Sequence, residues 1–186
     1  MMRRFTGLML TAAVVGGFSL GCMQHKMDIE TMKKMVSERP KELDHLEMYV
    51  GTWEVTGTGT MMGEEKPVTF KGTTTINWEA EKEVLFERST FEMTDWPKMS
   101  SIGVWVYDAA EGHFKNYWFS NYGDIGEGES WYDKDAKTWH TKGKSTHAHS
   151  EGTTTFKDAS TMEWTWVEKT PLGAKTGEFK GTSKKK

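Results

Sequence analysis

The sequence predicts an all-β domain, an antiparallel meander of about eight to ten strands closed into a barrel behind a short N-terminal helix. From Gly51 onward the sequence is rich in threonines and aromatics in alternating patterns. The clearest alternation places the mainly apolar residues 68, 70, 72, 74, 76 and 78 on one face of a strand and polar residues on the other. Short turn-forming links such as 108–112 and 133–137 imply hairpins between consecutive strands. Closure of such a meander removes exposed sheet edges, and an open two-sheet sandwich is the alternative.

The first 22 residues have the order of a secretory signal. Arg3 and Arg4 precede an apolar stretch over 5–20, and Gly21 and Cys22 follow it. We therefore predict a signal peptide over 1–21 and lipidation of Cys22, the only cysteine of the chain. The sequence over 19–22 resembles the bacterial lipobox, with its Ser and Leu in the opposite order. The alternative is a free cysteine beside an ordinary signal-peptidase site.

Two or three acyl chains on Cys22 would anchor the protein firmly, and nothing later in the sequence predicts a transmembrane helix. Met23 follows the cysteine, where an Asp would signal inner-membrane retention by resemblance to Gram-negative lipoproteins. The predicted location is therefore the bacterial cell envelope, at the outer membrane facing the periplasm. Loss of the leader removes two arginines, which leaves 22 basic against 27 acidic residues. This balance argues against nucleic-acid binding.

The exported part divides into a lipid-anchored tether over 22–40 and a barrel domain over 41–183. Leu43, Leu46 and Tyr49 form an apolar stripe that predicts a short helix between Pro40 and Gly51. A solvated tail explains the basic run 184–186 about as well as contact with anionic lipid headgroups does, and we assign it no function. The predicted strands are 52–62, 67–79, 82–94, 101–108, 113–121, 126–133, 137–146, 150–157, 161–169 and 176–182.

The helix-to-strand passage over 43–54, with Gly51-Thr52-Trp53 at its centre, resembles the opening of the DUF1579 family of lipocalin-like (calycin) proteins. The resemblance extends over most of 41–183 and implies a lipocalin-like barrel whose base is closed by Trp53. In lipocalins an Arg from the last strand covers this Trp, whereas here no Arg follows Arg88. The resemblance supports the fold more than a function.

Nine tryptophans lie in the exported part, and those on predicted strands are candidates to line a cavity for a flat apolar ligand. Small residues on the same faces, such as Gly57, Gly59 and Gly72, favour open space between the rings. The leading hypothesis is a barrel that binds a small apolar molecule. The alternative is a filled barrel that acts through its surface as an envelope interaction or structural module. The candidate cavity residues are Trp53, Trp78, Trp105, Trp118, Trp164 and Trp166.

Chemistry beyond binding has little support in the sequence. His140, His147 and His149 are weak candidates for a metal, because the surrounding segment is a polar turn and no third ligand has a supporting spacing. A Gly-x-Ser-x-Gly elbow is absent from the sequence, and the only cysteine is assigned to lipid. We therefore predict no catalytic residues, no cofactor and no metal; an enzyme would require the three histidines to converge.

Overall fold

A computed structural model describes residues 39–186. The leader, Cys22, Met23 and nearly all of the tether lie outside the described residues. Arg39–Lys186 forms a compact unit. No helix among the described residues has the length and hydropathy needed to cross a bilayer.

Ten antiparallel strands close into a barrel in which each strand pairs with its sequence neighbours and β1 pairs with β10. The predicted fold class is therefore confirmed, and the open sandwich is excluded. The strands are β1 (Gly51–Met61), β2 (Val68–Glu79), β3 (Val84–Met93), β4 (Met99–Asp108), β5 (His113–Ser120), β6 (Ile125–Asp133), β7 (Thr138–Ser145), β8 (His149–Asp158), β9 (Thr161–Lys169) and β10 (Lys175–Lys185).

The hairpins define two ends of the barrel. At the closed end lie the beginning of β1, the end of β10 and the turns over 80–83, 109–112, 134–137 and 159–160. At the open end lie the turns over 62–67, 94–98, 121–124, 146–148 and 170–174. Both ends of the described chain, Arg39 and Lys186, are at the closed end.

A 3₁₀ helix over Lys41–Tyr49, here named the plug helix, packs into the closed end. Its buried residues Leu43, Leu46 and Tyr49 are spaced by three, which matches the three residues per turn of a 3₁₀ helix and aligns them in one row. Gly51 then begins β1 with φ of +135°, and a Cβ there would lie 2.5 Å from Cε of Lys185. Only glycine suits this junction.

The core lies between the plug helix and the closed half of the barrel. Trp53 is fully buried and donates its indole N–H to the Tyr49 carbonyl at 2.7 Å. Rings pack around Tyr49 with centroid distances of 5.7 Å to Trp105, 5.8 Å to Trp139 and 4.9 Å to Phe156. Trp53 thus closes this end.

The terminal lysines are part of the sheet, so their interpretation as a solvated tail is wrong. Lys184 and Lys185 belong to β10, and the Lys186 amide donates to the Thr52 carbonyl at 2.9 Å. The Lys185 ammonium lies 5.1 Å from the centre of the Trp53 ring. A lysine from the last strand therefore covers the tryptophan.

Candidate functional site

The interior of the barrel differs between its two halves. In the closed half, Leu85, Phe114 and Trp139 are nearly or completely buried. In the open half, several side chains that point inward by strand alternation remain partly exposed within the closed wall, although Val68 and Ser150 there are buried. Solvent therefore enters through the open end. The partly exposed inward-facing side chains include Phe91, Met93, Trp118, Trp164, Trp166 and Phe179.

Aromatic rings in the open half lie against glycines on neighbouring strands. A Cβ on Gly126 would lie 2.1 Å from the Trp118 ring, and a Cβ on Gly143 would lie 2.5 Å from it. Trp166 lies against Gly152 and Trp164 against Gly181 in the same manner, with corresponding distances of 2.3 and 2.4 Å. Because glycine has no side chain, the rings can lie over the wall. Phe70 and Trp164 meet over Gly57 and Gly181 with a centroid distance of 5.7 Å, and Phe70 also contacts Phe91 and Phe179 at 6.2 and 6.4 Å.

A belt of polar side chains faces the lumen. Ser89 and Thr74 share a hydrogen bond of 2.8 Å, and the Ser89 hydroxyl donates to the Glu87 carboxylate at 2.7 Å. Asn116 donates from its amide nitrogen to Ser130 at 2.9 Å. The Asn116 amide oxygen is buried and has no hydrogen-bond partner among the described residues. This oxygen is a free acceptor inside the barrel.

Glu87 is the ionisable group of this belt. It points inward from β3 opposite Gly103, whose missing side chain leaves space for the carboxyl group. Burial raises its pKa, and hydrogen bonds from Ser89 and the Trp105 indole partly oppose that rise. The residue nevertheless keeps some exposure. Its charge raises the pKa of the buried Tyr49 further, beyond the larger effect of burial.

Two more carboxylates lie near the open end, each beside a tryptophan. The Trp118 indole donates to Asp124 and the Trp166 indole to Glu168, both at 3.4 Å. Burial and, to a lesser extent, the charge of Asp124 raise the pKa of Glu168. One oxygen of Asp124 is buried without a partner in the described part of the chain. The open half is therefore aromatic on its walls and acidic at its polar positions.

The structure divides the six predicted tryptophans between the two halves. Trp53 and Trp105 belong to the closed half. Trp78 lies at the rim of that end, where its indole donates to Glu47 at 2.6 Å and the Arg39 guanidinium covers its ring at 5.0 Å. The remaining three line the open half, and these are Trp118, Trp164 and Trp166.

The three histidines lie on the outer surface and do not converge. His140 stacks on Trp131 with a centroid distance of 5.5 Å, and His147 is in an exposed turn. His149 pairs with Lys144, four residues along β7 from His140, which separates the two histidines by about 13 Å along the strand.

A different group of potential metal ligands lies on the outer surface. Glu111, His113 and Glu129 have ligand atoms within 4.8 Å of one another. However, the Lys115 ammonium lies 2.6 Å from Glu111 and 3.4 Å from Glu129. This lysine already compensates the two carboxylates, and we interpret the group as an ion-pair network.

The outer surface has two further features. A broad, open groove crosses β10, β1, β2 and β3, and exposed threonines and lysines such as Thr58 and Lys71 line it.

An apolar strip, formed by Ile102, Phe119 and Ile125, crosses β4, β5 and β6 near the open end. These three residues are 36%, 46% and 59% exposed. Such a contiguous exposed strip is a candidate contact surface.

Sequence reasoning missed Glu87, Asn116 and Glu168. Alternation alone places Glu87 on the inward face of β3, between Leu85 and Ser89, and that signal was available. The inward orientation of Glu168 follows in the same way from Trp166. The unpartnered oxygen of Asn116 has no signature in the sequence, because it depends on which strands surround it.

No family model matches this chain, and no curated protein matches it either. Solved structures do. An S-type phycobiliprotein lyase from Guillardia theta is similar with a TM-score of 0.57 and 16% identity, over 82% of this chain and 96% of that one. Rv2717c from M. tuberculosis is similar with a TM-score of 0.65 and 10% identity, over 80% and 99%.

The fold is a lipocalin-like barrel. At such low identity, the similarity to both proteins shows the fold alone. A lipocalin-like barrel closed at one end and open at the other has the shape required for a ligand cup. The residues of this chain decide what such a cup can hold.

Proposed function

We propose that this protein binds a small apolar, flat molecule in the open half of its barrel. The observation that carries the proposal is that Trp118, Trp164 and Trp166 lie against glycines and remain partly exposed although they point into the barrel. The closed half, by contrast, buries Trp53 and Trp139 completely or nearly so. One solved structure of similar fold is, by its name, a phycobiliprotein lyase, a further reason to test conjugated ring systems.

Binding is tested by titration of the chain over 23–186 with N-phenyl-1-naphthylamine, an uncharged dye whose emission rises in an apolar site. We expect a saturable rise with about one dye per chain. Ser101 points into the open half and Ile102 points outward on the same strand. Ser101→Trp should therefore abolish the rise, and Ile102→Trp should preserve it. Equal binding by both variants would place the dye outside the barrel and contradict the proposal.

We also infer that the protein is a lipoprotein of the DUF1579 type, lipid-anchored in the envelope and facing the periplasm of a Gram-negative cell. Its support is the leader over 1–21, the single Cys22 and Met23 after it. When the wild-type chain is expressed in a Gram-negative host fed with radiolabelled palmitate, we expect the chain to become labelled. We also expect it to be recovered in the outer-membrane fraction. Cys22→Ala should abolish the label, and a labelled Cys22→Ala protein would contradict lipidation at this residue.

A second candidate function, contact with an envelope protein, is favoured by the apolar strip. Its three residues pair directly, with Ile102 opposite Phe119 and Phe119 opposite Ile125. Cross-linking in intact cells should then trap a partner with wild type and lose it with Phe119→Ser. A substitution elsewhere on the outer wall, Thr58→Ser, is the control and should retain the partner.

A further inference from the structure

The open half of the barrel has a one-sided distribution of charge. By strand alternation, Glu87 points into the lumen where the open half meets the closed half, beside Ile76 and Trp105. Glu168 points inward near the open end, and Asp124 approaches from the turn between β5 and β6. Within the described residues, no lysine, arginine or histidine points into this half. The inward-facing Lys185 lies at the closed end over Trp53. An anion entering the lumen would therefore meet repulsion without compensation.

Among the described residues, the buried inward-facing groups without a hydrogen-bond partner are acceptors outside the closed-end core, whereas the unpartnered donor, the Trp139 indole N–H, lies within that core. The Asn116 side chain is 5% exposed and faces inward, and its amide oxygen has no partner among the described residues. Its amide nitrogen is already used by Ser130. Asp124 likewise has a buried oxygen without a partner. A buried acceptor left unpaired is unfavourable, and a ligand that donates a hydrogen bond to it would offset that cost.

The walls complement a positive charge as well. Trp118 and Trp166 each donate to a carboxylate, Asp124 and Glu168 respectively, which fixes the rings beside negative charge. The face of an indole attracts a cation through its quadrupole. Carboxylates, a free amide oxygen and indole faces are together suited to an organic ammonium group on an apolar body.

We propose that the ligand of this barrel is an organic amine, bound as its ammonium cation, whose charged group meets the Glu87 carboxylate and the Asn116 amide oxygen while its apolar body lies against the open-half tryptophans. This inference rests on the proposed function, because it specifies the ligand class of the same cavity. Glu87 is the specificity-determining residue.

The test is competition against bound N-phenyl-1-naphthylamine by three probes of similar size, using the chain over 23–186. The probes are 2-naphthylmethylammonium, 2-ethylnaphthalene and 2-naphthoate, which are positive, neutral and negative at neutral pH. We expect wild type to bind the cation about tenfold or more tightly than the neutral probe, the magnitude of one hydrogen bond to a charged group, and the anion most weakly.

Glu87→Gln keeps the size of the side chain and its capacity to accept hydrogen bonds from Ser89, so it is expected to fold. It should reduce the preference for the cation to within about threefold and leave the affinity for 2-ethylnaphthalene unchanged. Glu92→Gln is the matched control, because Glu92 lies on the outer face of the same strand and pairs with Lys71. It removes the same charge and should retain the full preference.

The outcomes separate the two proposals. If the dye and all three probes fail to bind, the proposed function is wrong and this inference with it. If 2-ethylnaphthalene binds but the cation has no advantage, the ligand cavity stands and the amine class is wrong. If Glu87→Gln weakens all three probes equally, Glu87 maintains the shape of the barrel and the inference is overturned.

Discussion

At the scale of single residues, Glu87 departs most from what local packing requires. Burial of its carboxyl group disfavours the charged form and raises the pKa, and hydrogen bonds from Ser89 and Trp105 offset only part of that rise. Residues that break the local rules in this way concentrate at functional sites. We therefore expect the ionised form of Glu87 to destabilise the barrel.

We expect Glu87→Gln to be more stable than wild type at pH 8 and similar to it near pH 4. Because burial raises the pKa of Glu87, the folded protein holds this proton more tightly than the unfolded chain does. Wild type therefore loses stability as the pH rises through that folded pKa, whereas the glutamine variant does not. Urea denaturation of both proteins at several pH values measures the difference.

The pKa of Glu168 is also raised, but this group is present in both proteins and its effect cancels in the comparison. Glu92→Gln, on the outer face of β3, is the control for a change of net charge. A stability difference independent of pH would show that Glu87 is not strained by its ionisation.

Lys185 illustrates a residue whose role depends on a distant partner. Its aliphatic stem and ammonium cover Trp53. We expect Lys185→Ala to lower the free energy of unfolding by about 1 kcal/mol, because the cation–π contact and the packing of the stem are lost. Thermal or urea unfolding measures the loss. Lys184→Ala removes the same charge from the exposed neighbour, and an equal loss there would contradict this role.

At the scale of elements, the plug helix is held by tertiary packing. It has no side-chain N-cap hydrogen bond, and a 3₁₀ helix of nine residues is long for its type. Its three buried residues supply the compensation, since each contacts the core at the closed end. The helix and the barrel base should therefore form and unfold together.

Leu46→Ala is expected to cost about 2–5 kcal/mol of unfolding free energy, because the side chain is completely buried and the site leaves a cavity. Met48 lies on the same helix and is 38% exposed, so Met48→Ala should change the free energy of unfolding by about 0.5 kcal/mol or less. Denaturant titration of both variants measures the contrast. Similar small losses in both would mean that the plug helix contributes little to the core.

The strands were largely predictable from the sequence. A strand with one buried and one exposed face alternates apolar and polar residues, and this alternation is visible in the sequence of that strand alone. The prediction 161–169 coincides with β9, and the limits of β7 differ from the prediction by one residue at each end. The largest difference is at β10, which extends to Lys185 instead of residue 182. The terminal lysines have no β pattern of their own, and pairing with β1 brings Lys184 and Lys185 into the strand.

The site was less predictable than the strands. Alternation places the tryptophans inside, but their height in the barrel depends on the stagger between strands. Trp105 lies opposite Asn116, and Trp118 lies opposite Gly103 and Gly126. These pairings separate the filled half from the open half, and no single strand contains that information.

At the scale of the whole molecule, one half of the barrel supplies rigidity and the other supplies space. A ligand in the open half binds only the folded state, since its walls come from different strands. We therefore expect 2-naphthylmethylammonium at 100 times its dissociation constant to add about 2.7 kcal/mol to the free energy of unfolding. Urea denaturation with and without the probe measures this, and a bound probe that leaves the midpoint unchanged would bind folded and unfolded chains alike.

Arg39 and Lys186 leave the barrel together at its closed end, and β1 and β10 are antiparallel neighbours. Tension applied between these two points would separate β1 from β10 one hydrogen bond at a time, starting at the plug helix, as a zipper opens. Strands loaded in this direction yield at low force, because the bonds break in succession. The barrel is therefore expected to be mechanically weak along its own seam, and the seam begins where Lys185 covers Trp53.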